Sequence, residues 1–181
     1  MNTTHEGSRK RHWVGESIWT MVEQLQAAGV SAFPCRDNKR PALPVGESWR
    51  DYVAQNKEDW VPSALVGVPV PEGCVIIDLD LHRGCTRDRV EAVLGCSLPW
   101  DDALIQVTQR GGHHYAFSVA WPVRRYSNEA FDTRVAGQGY ICTGAPYYQP
   151  RGRGVFALAD VASLPRLPDA CRAVLGQENV T

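Results

Sequence analysis

The most informative stretch of this chain is CVIIDLD, residues 74–80. Its apolar and mostly β-branched beginning predicts a buried strand. Side chains alternate between faces along a strand, so Asp78 and Asp80 are expected to project from the same face at its end. Two carboxylates this close repel each other unless a positive charge lies between them. Because Mg²⁺ and Mn²⁺ prefer hard oxygen ligands, the pair predicts a divalent metal site and phosphoryl-transfer chemistry.

Length and composition are those of an ordinary globular protein. The chain has 181 residues, of which 44% are hydrophobic and 22% charged, with a formal net charge of −1. These values favour a single domain built from one or two lobes. Apolar runs reach only strand length and no signal peptide is recognisable, so no membrane association and a cytoplasmic location are expected. The six cysteines include no CxxC pair and are expected to be free thiols.

Hydrophobic periodicity predicts a mixed α+β fold with a largely antiparallel second half. The regular alternation of strands and helices that marks a doubly wound parallel sheet is absent. Thr86 and Gly95 are suited to begin and end a helix between them. Helices are predicted at residues 14–28, 48–60, 87–94 and 168–175, and strands at 30–34, 64–69, 74–80, 104–108, 113–119, 131–135, 139–143 and 155–158.

A second informative segment is TQRGGHHYAF, residues 108–117. The glycine pair allows the backbone to approach a ligand closely and to present N–H groups to a phosphate. The two histidines after it face opposite sides of a strand. Because Tyr115 and Phe117 share the parity of His113 and are typical core residues, His114 is expected to share the cleft with the carboxylates.

A third segment, FDTRVAGQGYIC at residues 131–142, contains Asp132 after an apolar residue, as Asp78 is placed in the first segment. A third carboxylate would complete a two-metal cluster. The surrounding region is rich in arginine and contains only two acidic residues, Glu129 and Asp132. Arginine without lysine is typical of a patch that meets phosphates. The arginines of this region are Arg110, Arg124, Arg125, Arg134, Arg151 and Arg153.

In this order and spacing, the three segments resemble the archaeo-eukaryotic primase superfamily. The narrower resemblance is to the bifunctional DNA primase/polymerase (prim-pol) N-terminal domain of plasmid, phage and mobile-element replication proteins. It covers roughly residues 20–158. The third segment departs from the pattern, because Val135-Ala136 replaces a glycine and Gln138 splits a glycine pair. Upstream, the pattern is met by Phe33-Pro34, Lys39, Pro41, Trp49 and the strand at 64–68.

The resemblance implies a specific architecture. A small N-terminal α/β lobe, residues 13–70, would pack on an RRM-like, mostly antiparallel catalytic lobe, residues 71–160. The catalytic cleft would lie between the two lobes. Residues 1–12 would form a flexible tail, and residues 161–181 a C-terminal extension.

The resemblance also implies the site and its chemistry. Asp78, Asp80 and Asp132 match the metal-binding carboxylates and would hold two Mg²⁺ or Mn²⁺ ions. His114 matches a histidine that contacts the phosphates of the incoming nucleoside triphosphate. The implied activity is template-directed nucleotidyl transfer, by a DNA primase or DNA polymerase, on single-stranded or primed DNA. Further expected nucleotide-binding residues are Lys39, Arg110, Gly111, Gly112 and Arg134.

Other functions remain open at this point. The altered third segment favours a nucleic-acid-binding replication module without catalysis. Asp78, Asp80 and His114 would also suit a metal-dependent nuclease or phosphoesterase, and the Asp-x-Asp pair occurs in glycosyltransferases. A zinc site at His82, Cys85, Cys96 and His113 is a further alternative. No P-loop motif occurs in the chain, so a helicase is expected to be either absent or supplied in trans.

Overall fold

The computed structural model describes residues 18–52, 65–144, 147 and 154–177. In these residues the fold is α+β with two antiparallel sheets, as the sequence predicts. No helix in these ranges is long and apolar enough to cross a bilayer. The α-helices are α1 (Ile18–Ala27), α2 (Arg87–Leu94), α3 (Trp100–Ala103) and α4 (Arg172–Leu175). The strands are β1 (Phe33–Cys35), β2 (Leu65–Pro69), β3 (Cys74–Leu79), β4 (Leu104–Val107), β5 (His113–Ser118), β6 (Asp132–Val135) and β7 (Tyr140–Thr143).

The larger sheet has four strands in the order β4-β5-β3-β6, and all neighbours run antiparallel. Its inner strand β3 is rich in β-branched residues and is almost wholly buried, which explains why its sequence predicts a strand so clearly. The chain passes from β3 through α2 to β4, and β5 then inserts between them, which makes a split β-α-β unit. The register sets Asp78 opposite His114 in β5 and opposite Asp132 in β6.

Helix α2 follows its predicted bounds because both ends carry local signals. The Thr86 side chain accepts a hydrogen bond from the Arg89 backbone N–H at the N-terminus. Gly95 ends the helix in the left-handed conformation, at φ 73°, and its N–H donates to the Glu91 carbonyl. Val90 and Leu94 then face the sheet and are buried in its core.

The smaller sheet has the order β1-β2-β7, again antiparallel throughout. Strand β7 lies within the predicted second lobe, yet it extends the sheet that begins in the predicted first lobe. The sheet needs a glycine at position 67, because a Cβ there would lie 2.3 Å from the Phe33 ring. Helix α1 contributes Met21, Val22 and Leu25 to the neighbouring core.

The four-stranded sheet has an apolar core on each face. One face carries the odd-numbered residues of β3 and β5, which pack with α2, α3 and α4. The other face carries Ile76 and Ala116, which pack with α1 and the smaller sheet. The predicted core role of Tyr115 and Phe117 is confirmed, since both are fully buried.

Two predicted elements are wrong in type. Residues 155–158 were expected to be a strand, but Gly154–Ala159 form a 3₁₀ helix that buries Val155 and Leu158. Residues three apart share one side of a 3₁₀ turn, and a short apolar run does not distinguish this pattern from a strand. Residues 49–51, within the helix expected at 48–60, form a turn.

The C-terminal segment is tied to the larger sheet. Arg166 forms a parallel bridge with Ser118, and Gly176 pairs with Val123. The helix expected at 168–175 is a 3₁₀ turn, Asp169–Cys171, that continues into α4. The tail expected at 1–12, the first part of the helix at 14–28 and the later part of that at 48–60 lie outside the described residues.

Candidate active site

Asp78 lies in the polar end of the larger sheet and contacts two basic side chains. Its Oδ1 is 3.4 Å from His114 Nε2, and its Oδ2 accepts a hydrogen bond of 2.8 Å from Arg134 Nη2. The side chain is only 15% exposed. The expected parity is confirmed, since His114 shares the face of Asp78, whereas His113 lies 2.7 Å from the Tyr115 hydroxyl.

Two opposing effects act on the Asp78 carboxyl. Burial alone would raise its pKa, because desolvation disfavours the charged form. The hydrogen bonds and charge interactions with His114 and Arg134 outweigh burial and hold the pKa below its ordinary value. Asp78 is therefore a carboxylate throughout the neutral pH range.

Arg134 lies among the three predicted metal-binding carboxylates. It stands two residues after Asp132 on β6, diagonal to Asp78 across the strand pair. Burial opposes its charge, yet interactions with Asp78, then Asp132 and then Asp80 raise its pKa. The positive charge expected between the carboxylates is supplied in this structure by Arg134.

Asp132 and Asp80 have partners of their own. Asp132 accepts a hydrogen bond from the Ser127 hydroxyl, which lies across a local bridge. Asp80 follows the end of β3, lies 3.8 Å from His82 and 3.6 Å from Arg83, and is one-third exposed. The structure thus brings Asp78 and Asp132 together on adjacent strands and places Asp80 at the rim of the same strand end.

The glycine turn at 111–112 packs against the end of β3. Gly111 has a φ of 81°, and its N–H donates to the Thr108 carbonyl inside the turn. A Cβ on Gly112 would lie 2.9 Å from the Leu79 carbonyl oxygen and 3.4 Å from Asp80 Oδ1. A phosphate contact by the Gly111 amide would therefore replace an existing hydrogen bond, and Arg110 beside it is exposed.

A cavity of about 310 Å³ opens over Asp78 and His114. Three further basic residues line it, Lys39, Arg125 and Arg134, so that positive groups outnumber the single carboxylate. Lys39, an expected nucleotide-binding residue from a distant part of the chain, therefore lines the same cavity as Asp78 and His114. Its other walls include Gln138, Gly139, Tyr140, Cys142 and Tyr147.

Sequence reasoning missed Gln106, a fully buried amide in the site. Its Nε2 lies 2.7 Å from His114 Nδ1 and 2.8 Å from the Cys142 carbonyl oxygen. A register shift between Leu104 and Gln106 places it opposite His114. The available signal was one polar residue in the apolar run Leu104–Val107.

The carboxylates suit a hard cation by donor type, although each holds a protein partner here. Across the described ranges, no three His, Cys, Asp or Glu side chains form a ready-made metal group. That holds for the zinc alternative too, because Cys85 donates to the Glu129 carbonyl and Cys96 lies 3.2 Å from Cys171. The donor chemistry of Asp78, Asp80 and Asp132 fits Mg²⁺ or Mn²⁺ if Arg134 yields its place beside Asp78.

Two comparisons with known proteins do not identify a family for this chain. Neither the protein-family models nor the curated proteins give a match to this chain.

Proposed function

We propose that this chain is a template-directed nucleotidyltransferase, a DNA primase or DNA polymerase of plasmid, phage or mobile-element replication. The observation that carries the proposal is the meeting of Asp78, His114 and Asp132 in direct register on three neighbouring strands. These residues come from three separate sequence segments. Asp78 and His114 line a cavity rich in basic side chains, which suits a triphosphate substrate, and Asp132 lies opposite Asp78 on the adjacent strand.

The strand order supports the same proposal. The order β4-β5-β3-β6, with all neighbours antiparallel, is that of an RRM-like sheet. Asp78 and His114 lie at one end of that sheet, where Gln106 of β4 donates a hydrogen bond to the Cys142 carbonyl of β7 in the smaller sheet. An RRM-like catalytic lobe beside a smaller lobe is the arrangement that the resemblance to primases implies.

The side chains of the site would have two roles, binding divalent cations and binding the phosphates of the substrate. Asp78, Asp80 and Asp132 would hold the divalent cations, which supply Lewis-acid stabilisation of phosphate charge when bound. The donors around the cavity, His114, Lys39 and Arg134, would bind the phosphate oxygens of the substrate. At about 310 Å³, the cavity is at the lower end of the range for small-molecule sites, and it would hold part of a nucleotide.

Template DNA would lie along basic side chains beside this cavity. The Arg50 guanidinium stacks 4.5 Å above the Trp49 ring, and its Nε donates to the Gly137 carbonyl at 2.6 Å. Arg125 lines the cavity itself. Exposed arginine side chains bind the phosphate backbone and not the bases. DNA binding would therefore be tolerant of sequence and sensitive to salt.

A second candidate is a nucleic-acid-binding replication module without catalysis. It is favoured by one observation: both oxygens of Asp78 already hold basic partners, His114 and Arg134. A cluster neutralised in this way needs no cation for its stability. In that case the basic cavity would bind nucleic-acid phosphates and no nucleotide would be transferred.

One reaction set separates these functions. Labelled template alone and primed template are each incubated with NTPs or dNTPs, in Mg²⁺ or Mn²⁺. The proposal predicts extended or newly made strands that depend on the cation. DNA binding without extension favours the second candidate, and release of nucleotides from labelled DNA without incorporation indicates a nuclease.

A further inference from the structure

A buried amide stands behind the histidine of the candidate site. Gln106 is fully buried, and its Nε2 is within hydrogen-bond distance of both His114 Nδ1 and the Cys142 carbonyl oxygen. His114 is also buried, at 6% exposure, and its other ring nitrogen points to Asp78. We propose that Gln106 is a positioning residue that fixes His114 as the tautomer protonated on Nε2.

The carbonyl of Cys142 determines which way the amide faces. A backbone carbonyl only accepts hydrogen bonds, so the group 2.8 Å from it is the amide NH₂. With the amide reversed, Gln106 Oε1 would lie against the Cys142 oxygen, and two acceptors would repel each other. The present orientation leaves Oε1 buried without a hydrogen-bond partner among the described residues. That unmet acceptor costs less than the reversed arrangement, which would also leave the NH₂ unpaired.

The orientation of the amide then determines the state of the imidazole. The second N–H of Gln106 donates to His114 Nδ1 at 2.7 Å, so Nδ1 is the acceptor and carries no proton. The proton of the neutral ring therefore lies on Nε2, which faces Asp78 at 3.4 Å. A chain of hydrogen bonds connects the Cys142 carbonyl, Gln106 and His114, and it directs the Nε2–H of His114 toward Asp78 in the wall of the cavity.

In the proposed function, the fixed tautomer would give His114 a hydrogen-bond donor ready for a substrate phosphate. This part of the inference rests on the proposed function. A phosphate oxygen accepts hydrogen bonds only, so His114 binds it through Nε2–H and not through a bare nitrogen. A ring held in one tautomer loses no binding energy to selecting it. Gln106 itself touches no substrate and acts through His114.

The tautomer is measured directly by NMR of the full chain. Long-range ¹H–¹⁵N spectra of ¹⁵N-histidine-labelled protein are recorded where the neutral imidazole dominates, and His114→Gln assigns the signals. The inference predicts a pyrrole-like Nε2 and a pyridine-like Nδ1 in the wild type. A pyridine-like Nε2 in the wild-type protein would overturn it, whether or not the protein binds nucleotides.

Two substitutions test the part played by Gln106. In Gln106→Glu the carboxylate accepts from Nδ1–H, so the proton is expected to move to Nδ1. In Gln106→Met neither bond to the amide remains, so only the Asp78 carboxylate favours Nε2–H, and the share of the Nδ1-protonated form is expected to rise without replacing it. The same change at an exposed position, Gln24→Glu on α1, is the control and should leave the His114 signals in place. An unchanged His114 tautomer in the folded Gln106→Glu variant would refute the positioning role.

The functional consequence of the His114 tautomer is measured as the binding of dATP to the wild type and to Gln106→Glu. Gln106→Glu is expected to weaken dATP binding roughly tenfold and to raise KM more than it lowers kcat, because a phosphate donor is lost. If the wild type shows the expected tautomer and does not bind dATP, the proposed function fails and the positioning role stands. If Gln106→Glu moves the proton and dATP binds equally well, the donor role of His114 is wrong.

Discussion

The two faces of the four-stranded sheet are built by the same strands and have opposite characters. On the odd-numbered face, Val75, Ile77 and Leu79 lie beside Tyr115 and Phe117, and all five are fully buried. On the even-numbered face, apolar residues are followed by Asp78, His114 and Arg134 toward one end of the sheet. The first face closes a core, and the second changes from core to polar cluster.

The contrast between the two faces shows how one strand serves both stability and chemistry. A residue's parity on β3 decides whether it stabilises the fold or faces the cavity. Ile77 and Asp78 are adjacent in sequence, yet substitutions at the two positions should affect different properties. Substitutions on each face test whether this separation between the faces holds.

The largest effect is expected at Asp78. Asp78→Asn keeps the shape of the side chain and removes the charge, so nucleotide incorporation should fall on the order of a thousandfold while the protein stays folded. Primer extension gives the rate, and circular dichroism reports the fold. The exposed Asp102→Asn is the matched control and should extend primers as the wild type does. Normal extension by the Asp78 variant would remove this residue from the site.

The opposite result is expected at Ile77. Ile77→Ala leaves a cavity in the odd-numbered face and should lower the free energy of unfolding by about 3 kcal/mol. Urea unfolding followed by fluorescence measures this loss. Incorporation per folded molecule should be unchanged, because the side chain faces away from the cavity. A fall in that rate comparable to the Asp78 effect would show that the faces are not separate.

Acid should weaken the protein through Asp78. Its pKa is held below the ordinary value, so the stabilisation is complete above the ordinary carboxyl pKa near 4. It is lost as the pH falls below that value toward the lowered one, at a cost of roughly 2 kcal/mol. Urea unfolding of the wild type and Asp78→Asn between pH 6 and pH 2.5 compares the two curves. The wild type should lose stability more steeply below pH 4, and parallel curves would contradict the Asp78 pairing.

A smaller loss is expected at the glycine turn. Gly112→Ala places a Cβ against the Leu79 carbonyl, which should destabilise the turn by about 1–2 kcal/mol and disturb Asp80. At Gly111 nothing lies within 4 Å, and asparagine tolerates its positive φ, so Gly111→Asn is the matched control. Thermal unfolding and primer extension should both separate the two variants. Equal losses would show that the close approach to β3 is unimportant.

The smallest effect is expected at the start of α2. Thr86→Ala removes the side-chain cap and should cost about 1 kcal/mol of stability. Because α2 covers the odd-numbered face, incorporation should not change. Thr86→Ser retains the acceptor oxygen and should recover most of the lost stability in thermal unfolding. A change in the rate of primer extension with Thr86→Ala would show that α2 also affects the even-numbered face.

Local patterns predicted much of this fold. The bounds of α2 followed from Thr86 and Gly95, because caps act within one helical turn. The prediction that His114 lies on the same face as Asp78 followed from the core character of Tyr115 and Phe117, because side chains alternate between faces along a strand. The approach of Asp132 to Asp78 was expected from the resemblance to primases, and their register appears only in the folded sheet.

Long-range pairing could not be predicted in the same way. The partnership of Arg134 with Asp78 depends on the offset between β3 and β6, which no local signal fixes. Gln106 reaches His114 only because the register shifts within β4. The pairing of β7 with β2 joins segments more than 70 positions apart in the chain.

The proposed metal site is tested most directly by asking whether the even-numbered face binds a divalent cation. Mn²⁺ is titrated into the wild type and into an Asp78→Asn, Asp132→Asn double variant, and EPR measures the free ion. Saturable binding by the wild type, at least roughly tenfold weaker in the folded double variant, is the predicted result. Identical titration curves for the two proteins would mean that Asp78 and Asp132 hold no cation, and the proposed metal site would be wrong.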